Sequence, residues 1–311
     1  MSARTSASLH LTNGDSVIYL FKKAGILGTH QAWRDVLHEG PVPAGFSLEE
    51  LSRIRGSYVA TRSGAKPIKV LHDFQERDAL VRRAGEFEEV VLWFEHDLYD
   101  QLQILQILTV LEELNLEPGR VQMVQSDEYL GSMTADEIEA LYPKRRTVTA
   151  AGYAAARRAW ERFTSAEPAA LAEAARTDTP ALPFLRAAFA RLCEEYPWQG
   201  DGLSRSQRHA LQAAAQGAAR NDELFRRAQA REEAPFLGDT MFYAILADLC
   251  APPWPLLEDS GGFLIPTALG RRVLGGDADW VETAGIDRWI GGVHLNGDVP
   301  ARYDEVTATL V

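Results

Sequence analysis

Residues 89–114 read EVVLWFEHDLYDQLQILQILTVLEEL, an apolar run that passes through Glu95, His96 and Asp97 straight into an apolar helical segment. Val90 to Phe94 carry no polar side chain, so this strand has no face to show to water. The following segment carries Leu102, Ile104, Leu105, Ile107 and Leu108, too many around the helix for it to lie on a surface. A strand buried on both faces and leading into a buried helix is one half of a parallel βαβ unit.

The same alternation recurs through the first 145 residues. SLHLT reads as a strand, and after the loop NGDS the segment VIYLFKKAG reads as a helix, with Lys22 and Lys23 near its carboxyl end and Gly25 as a left-handed stop. THQAW and RVQMVQ read as two more strands, and SLEELSRIRGSYVATR and the stretch around HDFQERDALVRRAG as helices. The expected fold is α/β, a three-layer, mainly parallel, Rossmann-like sheet over residues 1–145. Beyond Pro143 the texture turns alanine- and arginine-rich, which predicts a helical linker region over 146–200. From Leu203 onward, Ser204 and Gln207 have capping-box spacing, and two helices, FLGDTMFYAILADL, and a hairpin built from WPLLE, DSGG and FLIPT follow. Three helices and a hairpin outline a winged-helix-like domain over 201–311.

In an open parallel sheet, ligands bind beyond the carboxyl ends of the strands. Here those exits are polar: Asn13, Gly14, Asp15 and Ser16 after the first strand; Arg34, Asp35, His38 and Glu39 after the second; Glu95, His96, Asp97, Tyr99, Asp100 and Gln101 after the third; Ser126, Asp127 and Glu128 after the fourth. For NGDS, helix capping by Asn13 or Asp15 with Gly14 at positive φ would suffice. The sharper reading adds an anion such as phosphate at the helix start, with Ser16 as a hydroxyl donor. Arg34 and Asp35 could simply pair with each other or with neighbours. Capping explains Asp97 and Asp100, but not Glu95 and His96. An imidazole beside carboxylates suits general acid–base chemistry or a divalent metal. No defined zinc spacing is present, so the cofactor is unassigned and a divalent metal stays open. The expected catalytic residues are His38, Glu39, His96, Asp97 and Asp15; the expected ligand-binding residues are Asn13, Gly14, Ser16, Arg34, Asp35, Glu95, Tyr99, Asp100 and Gln101. These are taken to line one cleft.

Through LHLTNGDS, WRDVLHEGPVP and WFEHDLYDQLQ, the chain resembles a bacterial family, the domain of unknown function 1835, over roughly residues 8–140. LPFLRAAFARLCEEYP, DGLSRSQ and DRWIGGVHL are similar to the helical, winged-helix-like extension often found with it. The resemblance implies that the three early loops act as one unit; it implies no reaction.

Composition narrows the partners. Thirty-two Lys and Arg against 44 Asp and Glu leave a net charge of −12, the wrong sign for a general nucleic-acid binder. Residues 200–280 carry eight arginines and eleven acids, and FLGDTMFYAILADL has no basic residue, so tight DNA binding is not expected. Cys193 and Cys250 lack CxxC spacing and read as core thiols. No apolar run is long enough to cross a membrane, and MSARTSAS lacks a secretory core, which predicts a cytoplasmic protein. The expected function is a small-molecule enzyme, a hydrolase or transferase on a phosphorylated or nucleotide-like ligand. NGDS would hold the anion, Arg34 would neutralise it, and His38 or His96 would be the acid–base group. The alternative is a ligand-responsive regulator, or a module that binds a protein partner or self-associates through the C-terminal domain.

Overall fold

A computed structural model describes residues 8–297 and 301–311; the first seven residues, part of the argument against a secretory signal, lie outside it. The N-terminal part runs β1 (Ser8–Thr12), α1 (Asp15–Lys23), β2 (Thr29–Ala32), β3 (Gly40–Pro41), α2 (Leu48–Ser63), α3 (Pro67–Arg82), β4 (Glu89–Phe94), α4 (Leu98–Glu113), β5 (Val121–Gln125), α5 (Ala135–Leu141) and β6 (Arg146–Thr147). Five strands form one sheet in the order β2-β1-β4-β5-β6, parallel except for the edge strand β6.

Alternation along the strands sorts side chains to the two faces. Leu9, Leu11, Val90, Leu92 and Phe94 join the core on the α4 side. Val91, Trp93 and Val124 meet Val17 and Phe21 of α1 and Ile138 of α5 on the other. Helices therefore cover both faces, as the unbroken apolar run of β4 requires. Thr12 lies opposite Ala32 on one side and Trp93 on the other, so the chain exits of β1, β2 and β4 come out level. The chain passes from β1 to β2 on one side and returns from β2 through α2 and α3 to β4 on the other side of β1, which makes the gap between β1 and β4 the switch point of the sheet.

The remainder is α6 (Ala150–Thr164), α7 (Pro168–Ala174), α8 (Leu185–Cys193), α9 (Arg205–Ala215), α10 (Asn221–Gln229), α11 (Asp239–Cys250), β7 (Leu257–Ser260), β8 (Phe263–Pro266), α12 (Ala268–Leu274), α13 (Trp280–Ala284), β9 (Asp287–Gly291) and β10 (Val293–Asn296), with a short pair at Tyr303–Asp304 and Thr309–Leu310. α6 and α8 pack on α4, while α9, α10 and α11 pack on one another beside the β7–β8 hairpin. Ser204 and Gln207 form the expected reciprocal cap, and Gly261 and Gly262, at φ 68° and 86°, make the hairpin turn. The structure thus contains the three helices and the hairpin.

β9 pairs in parallel with β3, Gly40 opposite Ile290, in a three-stranded sheet with β10, a link between the chain's ends with no signature in the sequence. Gly291 and Gly292 permit this docking: a Cβ on either would strike the carbonyl of Phe163 or Thr164 at the end of α6. α11 also packs on α2, where Arg62 meets Asp248 at 2.9 Å. One continuous core includes residues from all three segments of the chain. Among the described residues no helix is long and apolar enough to cross a membrane.

Candidate functional site

The loop after β2 is held from behind by two buried arginines that read in the sequence as ordinary helix residues. Arg55 of α2 donates to the Asp35 carboxylate at 3.0 Å and to the carbonyls of Val36 and Glu39 at 2.9 and 2.7 Å. Arg77 of α3 donates to the carbonyl of Trp33 at 3.0 Å, and the Trp33 indole donates to Gln106 of α4 at 2.7 Å. Asp35 is therefore enclosed in a fully buried ion pair and orders the loop. The loop starts at Arg34, which sits at φ 59°, a left-handed conformation uncommon for a residue with a Cβ.

NGDS differs from its expected local role. Gly14 is the N-cap of α1 in extended conformation, at φ −150°, and no side chain caps the helix. Asn13 instead reaches across to α4, its amide donating to Asp100 Oδ2 at 2.8 Å. Asp15 and Arg34 pair with each other at the surface, with Arg34 Nε 2.8 Å from Asp15 Oδ2. Arg34 is thus already neutralised, and Ser16 is exposed on the first turn of α1.

At the switch point the acids after β4 converge. Asp97 caps α4, its Oδ1 accepting from the Asp100 N–H at 3.1 Å. Asp100 is fully buried, and its Oδ1 accepts from the Glu95 N–H at 2.7 Å. Glu95 Oε1 accepts from the Leu130 N–H at 2.8 Å, and Gln101 donates to the Glu95 carbonyl at 2.7 Å. One oxygen from each of Glu95, Asp97 and Asp100 lies within 4.8 Å of the others. Burial raises all three carboxyls above their ordinary range, and Asp97 and Glu95 push Asp100 further the same way. Two like charges about 4 Å apart repel by about 4 kcal/mol at an effective dielectric of about 20, so three bare carboxylates here are heavily disfavoured.

These acids open onto a cavity of about 390 Å³ lined also by Asn13, His38, Tyr99, Tyr129 and the segment 235–241 that leads into α11. His38 is 3% exposed, and neither ring nitrogen has a hydrogen-bond partner. Burial drives its pKa down to about 3, so the imidazole is neutral. Its ring meets Phe236 edge-on at 5.0 Å and Tyr99 at 6.0 Å. Tyr129 donates to the carbonyl of Pro235 at 2.8 Å, tying the β5 exit to the far wall.

Of the residues expected from sequence, the structure brings Asn13, His38, Glu95, Asp97, Tyr99 and Asp100 to this cavity, while Gln101 is buried with its amide on the Glu95 carbonyl. The single-cleft expectation needs correcting for the others. Gly14, Asp15, Ser16 and Arg34 are not among its lining residues, and neither is Asp35, which is enclosed with Arg55. Glu39 turns the opposite way from His38, into a separate cavity of about 500 Å³ with Tyr58, Arg62 and Arg288. His96 faces a neighbouring cavity of about 290 Å³ with Phe184, Arg191 and Arg205, and Asp97 lines both; its ring lies 5.2 Å from that of Tyr129. Tyr129 and segment 235–241 were missed, because no local pattern in the chain announces which distant loop will close a crevice.

A second buried acid cluster lies behind Phe236, whose ring carries the Arg191 guanidinium at 4.9 Å. Glu195 meets Arg191 at 2.8 Å and Arg288 at 2.9 Å, and Glu232 meets Arg191 at 2.8 Å and His209 at 3.1 Å. Burial alone would raise both carboxyls, but the arginines hold Glu195 well below its usual range and Glu232 down to about 2. No protein-family model matches this chain, and no curated protein matches its sequence.

Proposed function

We propose that the chain is a small-molecule enzyme, a hydrolase or transferase acting on a phosphorylated or nucleotide-like ligand held at the carboxyl ends of β1, β4 and β5. One observation carries this reading: residues from four separate strand exits, Asn13, His38, the acids after β4 and Tyr129, converge on one cavity at the switch point. Its volume suits a small molecule, and Tyr99, Tyr129 and Phe236 supply aromatic surface for a planar group. The neutral His38 imidazole has both ring nitrogens unpartnered and can hydrogen-bond an occupant of the cavity. The likeness of the same loops to the domain of unknown function 1835 supports treating them as one unit, and we extend that membership as part of the proposal, together with a Rossmann-like reading of the sheet and a cytoplasmic location.

A second reading is a ligand-responsive module, favoured by the composite cavity, one wall of which is the lead-in to α11. In that reading α9–α11 and the hairpin act as a winged-helix-like unit that meets a protein partner or a second copy. Its net negative charge, and the docking of α11 on α2 through Asp248 and Arg62, argue against tight duplex DNA binding.

A panel of nucleotides and sugar phosphates, screened for thermal stabilisation and for turnover, tests the proposal. The expected result is a stabilising compound whose effect is lost in His38→Phe and Tyr129→Ala. Turnover separates the enzyme from the sensor; in the sensor, binding without turnover alters protease cleavage within 235–241. A ligand weakened by Arg62→Met but indifferent to both cavity variants would move the site to the Glu39 cavity and refute the proposal.

A further inference from the structure

We infer that Glu95, Asp97 and Asp100 are the protein ligands of a divalent cation, Mg²⁺ or Mn²⁺, that lies between them and a bound phosphate; this rests on reading the cavity as the ligand site.

The geometry comes first. A small hard cation bound at about 2.1 Å places its oxygen ligands about 3.0 Å apart when adjacent and about 4.2 Å apart when opposite. Three carboxylate oxygens within 4.8 Å of one another lie close enough for one ion to gather with small side-chain adjustments. Backbone donors fix the carboxylates: the Asp100 N–H holds Asp97, the Leu130 N–H holds Glu95, and the Glu95 N–H holds Asp100. The Gly131 N–H and the Asn13 side chain also act on Glu95, and the Tyr99 N–H on Asp97; since a carboxylate offers about four lone-pair sites, acceptor capacity remains for an ion. Such an outer layer of hydrogen bonds orients metal ligands. The donors are all oxygens with no thiolate beside them, which selects a hard cation over zinc.

The second observation is independent of the acids. His38 lines the same cavity at 3% exposure with both ring nitrogens unpartnered. A buried imidazole left without partners is costly unless the cavity's occupant supplies one; a water on the ion or a phosphate oxygen would do so.

The charge inventory then specifies the ligand. The cavity lining contains acids and no lysine or arginine, and Arg34, the nearest candidate from the sequence, is paired with Asp15. A phosphate would be repelled by this wall unless a cation bridged it, so the ion and the phosphorylated ligand imply each other. The trio His72, Asp73 and Glu76 on the surface of α3 lines none of the cavities described above and serves as the control.

The test is titration of the chelator-stripped full chain with Mn²⁺, followed by electron spin resonance and calorimetry. The expected result is saturable binding of one Mn²⁺, competed by Mg²⁺, weakened about tenfold or more by Asp97→Asn and by Glu95→Gln and unchanged by Glu76→Gln. Absence of saturable binding, or binding that both cavity variants leave intact, overturns the inference. Should either variant misfold, infrared spectra of the wild type decide: carboxylate stretching bands that shift on Mn²⁺ addition support the site, and a spectrum unchanged at saturating Mn²⁺ refutes it. Phosphorylated ligands that bind this cavity in the presence of chelator would leave the proposed function standing while removing the ion.

Discussion

Two clusters of buried acids lie on either side of Phe236, and they are built on opposite principles. Glu195 and Glu232 are each within 3 Å of Arg191, and Arg288 and His209 complete the set. Glu95, Asp97 and Asp100 have one another, Asn13 and backbone N–H groups, and no cation. The first cluster joins α8 to the start of α9, to the segment before α11 and to β9, so its charges are spent on architecture. In the second, strand ends and a buried helix hold like charges together that the fold itself does not neutralise. Where a protein compensates its buried charges it is being held together; where it leaves them uncompensated beside a cavity, something else completes the set.

The largest expected effect comes from breaking the compensated cluster. Arg191→Met leaves Glu195 and Glu232 buried without their shared partner and should cost about 3–5 kcal/mol in urea unfolding; a loss under about 1 kcal/mol would erase the distinction between the clusters. The uncompensated cluster should respond in the opposite direction. Asp97→Asn keeps a good N-cap for α4 and removes one of three mutually repelling charges. The metal-free variant should equal the wild type or exceed it by about 1–3 kcal/mol at pH 8, while Mn²⁺ no longer stabilises it.

The two clusters also tilt stability oppositely with pH. Glu232 is depressed to about 2, so its contribution is complete above its unfolded pKa of about 4.5 and is lost as pH falls through 2. Asp97 is raised by burial to about 7. In chelator the native state therefore holds a proton that the unfolded chain has released, and stability declines as pH rises from about 4 to 7. Urea unfolding of Asp97→Asn beside wild type should show an advantage that grows over that interval and is flat above it. An advantage independent of pH would mean that Asp97 titrates normally.

How much of this was legible in the sequence follows the range of the signals involved. The run through β4 into α4 fixes a parallel sheet from apolar content alone, and the acids after it were visible as candidates because capping left Glu95 and His96 unexplained. The partners were not visible. Arg55 and Arg77 sit in helices where an arginine usually faces water, and their burial depends on carbonyls of a loop tens of residues away. Asp15 and Arg34 read as two functional groups because nothing local shows that each neutralises the other. Two-residue β3 carries no strand pattern, so its pairing with β9 could not be read. His38 and Glu39 are adjacent in sequence and face different cavities, a division set by how Arg55 holds the loop between them.

The smallest expected effect concerns histidine, and it repeats the contrast in neutral form. His10 is buried and fully used: its Nε2 lies 3.1 Å from the Leu27 carbonyl, and its Nδ1 accepts from the Trp93 indole at 3.1 Å. His38 is equally buried and uses neither nitrogen. His10→Phe orphans a carbonyl and an indole N–H and should cost about 1–3 kcal/mol. His38→Phe orphans nothing, and the adjacent cavity accommodates the larger ring, so its stability at pH 7.5 should stay within about 1 kcal/mol of wild type. Acid adds a second reading. His38 is depressed to about 3, so the native state resists a proton that the unfolded chain takes up below about 6.5; wild-type stability from this group is complete above 6.5 and falls as pH drops toward 3. Relative to wild type, His38→Phe should therefore gain stability between pH 6.5 and 4.5 while losing ligand binding at pH 7.5. If it instead loses several kcal/mol at neutral pH with ligand binding per folded molecule unchanged, His38 is a packing residue and the cavity has lost the group that marks it as a site.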